Sequence, residues 1–178
     1  MPVVMDGSRI ERTLRRIAHE ILERNRDLSD MALVGIRTRG VVIAERLAAV
    51  LKEAGSVTMP VGSLDITLYR DDYMRTPVGP QPVVRSTDIR FSVEGRRLLL
   101  VDDVLYTGRT IRAALDAIID YGRPRSIQLI VLVDRGHREL PIKADYVGKN
   151  LPTSQEQSVQ VRLTEIDGLD EVQLEEGA

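Results

Sequence analysis

The chain has 178 residues, of which 43% are apolar and only 3% aromatic, with no cysteine and a net charge of −2. That length suits one ordinary domain whose core is filled by Leu, Ile, Val and Ala, and the absence of cysteine excludes disulfides and thiolate metal sites. No apolar run approaches the roughly 20 residues that span a bilayer, and the charged start MPVVMDGSRIERTLRR has no signal-type apolar stretch, so a soluble, cytoplasmic protein without a membrane partner is expected.

Residues 8–26, SRIERTLRRIAHEILERNR, carry Ile10, Leu14, Ile17 and Ile21 at helical spacing. This predicts an amphipathic helix capped by Ser8, with Glu11 completing a capping box. Arg12, Arg16, His19 and Glu23 form the opposite stripe. MALVGI (31–36) predicts a short strand, followed by RTRG and a helix, VVIAERLAAVLKEAG, closed at Gly55. VGSLDITLY (61–69) predicts another strand. The stretch RDDYMRTPVGPQPVVRSTD (70–88) has three prolines, one glycine and no periodicity, so it predicts a long loop, a lid or a disordered insertion.

RRLLLV (96–101) predicts a buried strand, IRAALDAIIDYG (111–122) a helix ending at Gly122, and SIQLIVLV (126–133) a further strand. Continuous apolar strands alternating with helices predict the α/β class, a doubly wound, mainly parallel sheet with helices on both faces. Short strands and turns are expected after residue 134, with 134–152 forming a small hood and 153–178, with one basic residue against seven acidic ones, an acidic tail. All of this fits a single domain over 1–178.

The most informative stretch is LLLVDDVLYTGRT (98–110), where a buried strand runs into two adjacent carboxylates and then a Thr-Gly-Arg-Thr turn. In open parallel sheets, ligands bind beyond the carboxyl ends of the strands. Asp102 and Asp103 accept hydrogen bonds from hydroxyls or face a metal. Gly108 lets the backbone turn closely, and the following helix start, with the Thr107 and Thr110 hydroxyls, donates to a phosphate. A ribose 5-phosphate meets both demands. The blander alternative is a solvated strand end with a helix cap. A receiver-domain phosphoacceptor is a rival, although there the acidic pair follows the first strand. No Walker A loop is present, which disfavours a P-loop NTPase.

VDDVLYTGRT resembles the phosphoribosyl-diphosphate (PRPP) motif of the type I phosphoribosyltransferases, and the resemblance implies their fold. IRTRG (36–40), otherwise an ordinary β–α turn with an exposed Arg, resembles that family's diphosphate loop. In this context 70–88 resembles the flap that closes over PRPP and excludes water. DITLYRDD, RIAHEILERN, GRPRSIQLIVLVDRG and DRGHRELPIKADYVGKNLPTS (134–154) resemble one subfamily, the PyrR proteins, which join pyrimidine-operon attenuation to uracil phosphoribosyltransferase activity. That resemblance runs from about residue 8 to 154.

It implies conversion of uracil and PRPP to UMP and diphosphate. Arg39, Asp102 and Asp103 would carry the catalysis, with PRPP contacts at Thr38, Arg39, Gly40, Asp102, Asp103, Thr107, Gly108, Arg109 and Thr110. Arg135, Gly136 and Lys149 would sit near the uracil or nucleotide. Mg²⁺ would be held mainly through PRPP, with no direct protein ligand. No dedicated general base is evident.

The resemblance also implies binding of pyrimidine-operon leader messenger RNA, not DNA, under the control of UMP or UTP. Arg15, Arg16, His19, Arg24, His137, Arg138, Lys143 and Lys149 are the implied RNA contacts. Position 143 is often Arg in the family, and Lys lacks the planar fork. So small a basic face per chain points to a homodimer or larger homo-oligomer. By itself, a charged helix stripe diluted by Glu11, Glu20 and Glu23 is usually a solvated face. A salvage enzyme without regulation is the main alternative; an RNA-binding module without catalysis is disfavoured by the complete set of PRPP-contacting residue types.

Overall fold

The computed structural model describes residues 1–67 and 87–177, and its strands form where the apolar runs fall. The elements are β1 (Val3–Asp6), α1 (Gly7–Arg24), β2 (Met31–Ile36), α2 (Arg39–Gly55), β3 (Val61–Leu64), β4 (Arg97–Leu105), α3 (Arg109–Ile119), β5 (Ser126–Asp134), β6 (Tyr146–Asn150), β7 (Ser158–Arg162), α4 (Thr164–Asp167) and β8 (Glu171–Glu175). Five strands form a parallel sheet in the order β3-β2-β4-β5-β6. The remaining three form a separate antiparallel sheet in the order β1-β8-β7.

The alternation of side chains along a strand divides the core in two. Met31, Leu33, Leu99, Val101, Ile130 and Leu132 pack with Ile10, Leu14, Ile17 and Ile21 of α1 and with Ile43, Leu47 and Leu51 of α2. The intervening residues Ala32, Val34, Leu98, Leu100, Leu129 and Val131 pack against Ile111, Ala114, Ala117 and Ile118 of α3. Both faces are therefore covered, as the continuous apolar runs predict. No helix among the described residues is long and apolar enough to cross a membrane.

Several local expectations differ from the structure. The cap of α1 is Asp6, whose carboxylate accepts the Arg9 N–H at 2.8 Å, and Ser8 lies inside the helix. Asp6 ends β1 with the extended backbone that an N-cap needs. Helix α2 is closed by Ser56 in the left-handed region (φ 52°), not by Gly55. Gly55 sits against α1 instead: a Cβ there would lie 2.6 Å from Leu22 Cδ2, so the Leu22 side chain would have to shift. Strand β3 stops at Leu64, because the Asp65 N–H bonds the Thr87 hydroxyl and the Asp65 carboxylate turns back to the Thr67 N–H. Helix α3 ends at Ile119, short of Gly122.

The largest difference concerns 134–178. The segment expected as a hood supplies β6, which extends the main sheet beside β5. The segment expected as an acidic tail is folded: β7 and β8 pair with each other, and β8 pairs with β1 from the other end of the chain. Of the expected flap, residues 70–86 lie outside the described residues. Asp88, just beyond, bridges back to Ser63.

Candidate active site

The chain leaves β2 for β3 on one side and later returns to place β4 on the other, so the order reverses between β2 and β4. A crevice at the carboxyl ends of two such strands is the usual ligand position in this architecture. Pairing of β2 with β4 ends at Gly35 and Val101, whereas β4 stays paired with β5 as far as Leu105 and Asp134. Asp102 and Asp103 thus lie within β4, which is longer than expected, on a stretch with a strand neighbour on one side only. The crevice holds a cavity of about 290 Å³, lined among others by Arg37, Thr38, Arg39, Asp65, Asp102, Asp103 and Thr110.

Asp102 is buried, at 7% exposure. Its Oδ1 accepts the Asp103 N–H at 2.9 Å, and Asp103 Oδ1 accepts the Val104 N–H at 2.8 Å. Burial, then the neighbouring Asp103 charge, push the Asp102 carboxyl well above the ordinary carboxylate range. Two adjacent carboxyls in this environment are poised to accept hydrogen bonds from a polyol.

On the β2 side, the peptide between Arg37 and Thr38 is cis. Thr38 precedes the first helical residue of α2 without capping it through its side chain, so its hydroxyl and the first N–H groups of the helix remain available to an anion. A Cβ on Gly40 would lie 2.4 Å from the Val101 carbonyl oxygen, and one on Gly35 would lie 2.4 Å from Val41 Cα. The absence of a side chain at Gly40 therefore serves close approach of α2 to β4. Arg37 donates to the Ser63 hydroxyl at 3.2 Å. Arg39 is held by Asp167 of α4, with Nη2 to Oδ1 at 2.8 Å and Nε to Oδ2 at 3.3 Å.

On the β4 side, Gly108 precedes α3 with φ 94°, a conformation that favours glycine. The Arg109 N–H donates to the Thr107 hydroxyl oxygen at 3.3 Å, and the Arg109 guanidinium pairs with Glu139 at 2.8 Å. The Thr107 carbonyl accepts the N–H groups of Glu139 and Leu140, binding the turn to the loop after β5. Of the expected PRPP contacts, Thr38, Arg39, Asp102, Asp103 and Thr110 line the cavity, whereas Gly40, Thr107, Gly108 and Arg109 are outside its lining.

The expected base-binding residues lie outside that lining. Arg135 is buried, donates to the Thr153 hydroxyl and to the Ser154 and Gln157 carbonyls, and stacks 3.9 Å over Tyr106. Gly136, at φ 80°, donates its N–H to Asp134, and Lys149 sits half-buried on β6 beside Val133.

The expected RNA contacts fall in two places. Arg16 donates to the Val147 and Gly148 carbonyls and pairs with Glu20, while Arg24 donates to the Asp145 carbonyl and covers the Tyr146 ring, so both tie α1 to β6. His19 is exposed on the same helix and Lys143 is exposed before β6. Arg15 pairs with Glu11 and with Glu53 of α2. Arg138 is fixed by Asp134 and by the Tyr106 and Ile142 carbonyls, and His137 meets the Thr153 carbonyl, both in the loop after β5.

Four site residues escape the sequence reading. Arg37, Asp65 and Thr67 line the cavity, and their signal lay in the stretches IRTRG and DITLY. Asp65 Oδ1 accepts both the N–H and the hydroxyl of Thr67, whereas Oδ2 is buried without a partner among the described residues. Asp167 gave no signal within an acidic segment.

Residues 4–166 match the phosphoribosyl transferase domain family. The chain is 62% identical to the "Bifunctional protein PyrR" of Pelotomaculum thermopropionicum, covering 98% of this chain and 96% of that protein. It is 58% identical to the protein of that name from Deinococcus radiodurans (96% and 92% covered) and 52% identical to the one from Halalkalibacterium halodurans (98% and 97%). In fold it is similar to the hypoxanthine phosphoribosyltransferase of Trypanosoma cruzi, with a TM-score of 0.74 at 19% identity, covering 100% and 98% of the two chains. A Staphylococcus aureus hypoxanthine phosphoribosyltransferase gives a TM-score of 0.71 at 18% identity, covering 96% and 90%.

Proposed function

Because this chain belongs to the phosphoribosyl transferase family, and within it to the PyrR proteins, we propose that it transfers the phosphoribosyl group of PRPP to uracil and also regulates pyrimidine-operon transcription by binding leader RNA. The observation that carries the enzymatic half is the cavity where β2 and β4 diverge, with the starts of α2 and α3 on either side of Asp102 and Asp103. Two helix starts suit two anionic groups. We assign the 5-phosphate to the turn Thr107–Thr110 and the diphosphate to Thr38, Arg39 and Gly40. Between them, Asp102 and Asp103 accept the ribose 2′- and 3′-hydroxyls.

This placement leaves C1′ facing the base, with uracil toward the loop after β5. We assign Gly136 and Lys149 to that end, with buried Arg135 supporting it through its contacts to Tyr106, Thr153 and Gln157. As the C1′–O bond to diphosphate lengthens, positive charge grows on the sugar and negative charge on the leaving group. The carboxylate pair favours the former and Arg39 with the N-terminal N–H groups of α2 the latter. Positioning and electrostatics supply the catalysis.

The described residues hold no group of three or more His, Asp or Glu side chains suited to a metal ion. An unpartnered, buried Asp65 oxygen beside the Asp102–Asp103 pair nevertheless fits an oxygen-seeking cation that keeps its waters and arrives with a diphosphate. Mg²⁺ bound in that way would neutralise leaving-group charge, with Asp65, Asp102 and Asp103 holding its waters.

For regulation, the support is the cations of the α1–β6 region, His19 and Arg24 on α1 with exposed Lys143 just before β6, a few per chain that a homodimer would double. Turnover of uracil with PRPP, beside filter binding of leader RNA with and without UMP, tests both halves. Turnover without RNA binding would leave a salvage enzyme; RNA binding without turnover would leave a regulator alone.

A further inference from the structure

The acidic segment at the end of the chain performs two separable tasks on α2. Arg46, in the middle of that helix, is gripped by Glu165 at 2.6 and 3.0 Å and by Asp170 at 2.8 Å on both oxygens. Asp170 also accepts the Thr164 N–H and hydroxyl. This cluster fastens the antiparallel sheet to α2. Asp167 is therefore not needed for that purpose, and it meets Arg39 at the first residue of the helix instead.

We propose that Asp167 is a positioning residue for phosphoribosyl transfer: it holds the Nε–Nη2 edge of Arg39 so that the Nη1 edge is presented to the diphosphate of PRPP. The inference rests on the assignment of the diphosphate loop made above. The Asp167 carboxylate is anchored by its own segment, since Oδ2 accepts the Leu163 N–H at 2.8 Å and the Asp167 N–H returns to the Leu163 carbonyl at 2.7 Å. Partial burial works against its charge, but the Leu163 N–H and Arg39 outweigh that and keep the carboxyl below its ordinary range.

A guanidinium is a planar fork with two usable edges. Asp167 occupies one, and Nη1 has no partner among the described residues. The Arg39 side chain keeps 33% of its surface and lines the cavity. A free arginine at a helix start would spread over many rotamers, and fixing one edge removes most of that freedom before the ligand arrives. The opposite possibility is that Asp167 competes with diphosphate for the same guanidinium, and it predicts effects of opposite sign.

The test uses the full-length protein and its Asp167→Asn, Asp167→Ala, Arg39→Ala and Arg39→Ala/Asp167→Ala variants. It reads kcat/KM for PRPP, KM for uracil, and inorganic diphosphate affinity by calorimetry. Each Asp167 variant should lower kcat/KM for PRPP and diphosphate affinity about tenfold, with KM for uracil unchanged. The double variant should be no worse than Arg39→Ala alone, a non-additivity that general destabilisation does not produce. Additive losses, or Asp167 variants that bind diphosphate as tightly as the parent or more tightly, would overturn the positioning role. If Arg39→Ala itself retained full diphosphate affinity, the loop assignment would fail, and this inference with it. Asp167→Asn keeps the shape of the site, so the comparison survives even if the alanine variant folds poorly.

Discussion

Replacing Gly40 by alanine tests whether the packing of α2 on β4 is what sets the active-site geometry. The added Cβ would lie 2.4 Å from the Val101 carbonyl oxygen, 3.2 Å from its carbon and 3.3 Å from Asp102 Cα. Contacts under 3.0 Å are essentially never tolerated, and all three atoms are backbone, so the helix start and the strand must part by about 0.6 Å or more. Such overpacking costs roughly 1–3 kcal/mol. Alanine returns about 1 kcal/mol in helix propensity, which leaves a net loss of at most about 2 kcal/mol. At about 2–4 °C per kcal/mol for a chain of this size, Tm should fall by no more than roughly 8 °C. The effect on turnover should be far larger, because the displacement separates Thr38 and Arg39 from the carboxylates across the crevice. Misplacement on the ångström scale costs about 10²-fold in rate. Uracil-dependent diphosphate release, measured well below Tm beside a thermal melt, reads the two effects separately. Parental turnover in a variant confirmed to carry alanine would refute the claim that this contact sets the site.

Asp102→Asn should bind PRPP and UMP about ten- to a hundredfold more weakly by calorimetry, since an amide puts an N–H₂ donor where a carboxyl oxygen accepts from a ribose hydroxyl. Because the folded protein raises the Asp102 pKa, its stabilising contribution is complete below about pH 3.8 and is lost as pH rises through the raised value; the unligated variant should therefore be at least as stable as the parent near pH 7, and a clear loss in Tm there would contradict this. Asp170 behaves in the opposite sense. The hydrogen bonds from Arg46 lower it to about 2, so its contribution is present above the ordinary 3.8 and is lost as pH falls toward 2. Arg46→Ala should cost about 1–3 kcal/mol at pH 7, reduced by partial exposure, and flatten that acid limb in a pH series of melts. Lys143→Ala should weaken leader-RNA binding and lower its salt slope by about one unit, with uracil turnover retained; Lys143 is exposed, so this is a cleaner probe than Arg24→Ala, which also removes a tie to the Asp145 carbonyl. Unchanged RNA affinity would take Lys143 out of the RNA face.

The parallel sheet, its two covered faces and the catalytic crevice are legible in the residues because each rests on a local signal. MALVGI, RLLLV and SIQLIVLV are continuous apolar runs, which only a strand buried on both sides needs. Asp102–Asp103 followed by Thr107–Thr110 encodes a strand end, a turn and a helix start within ten residues. Those signals say which face of an element is buried, but not which partner buries it. Hence the short strands after residue 134 are legible without their partners: β6 joins the main sheet through β5, and β8 pairs with β1 from the other end of the chain. Charged residues show the same division. Arg39 and Asp167 lie 128 positions apart, and nothing near either one specifies the pair. Arg135 reads as a ligand contact but is buried on Tyr106 and the 153–157 carbonyls. Gly40 reads as clearance for a ligand, yet the atom it makes room for is a carbonyl of β4. Periodicity and short motifs specify the elements and the chemistry of the crevice; the partners of individual side chains are set only when distant segments pack, because burial and ion pairing depend on what arrives alongside.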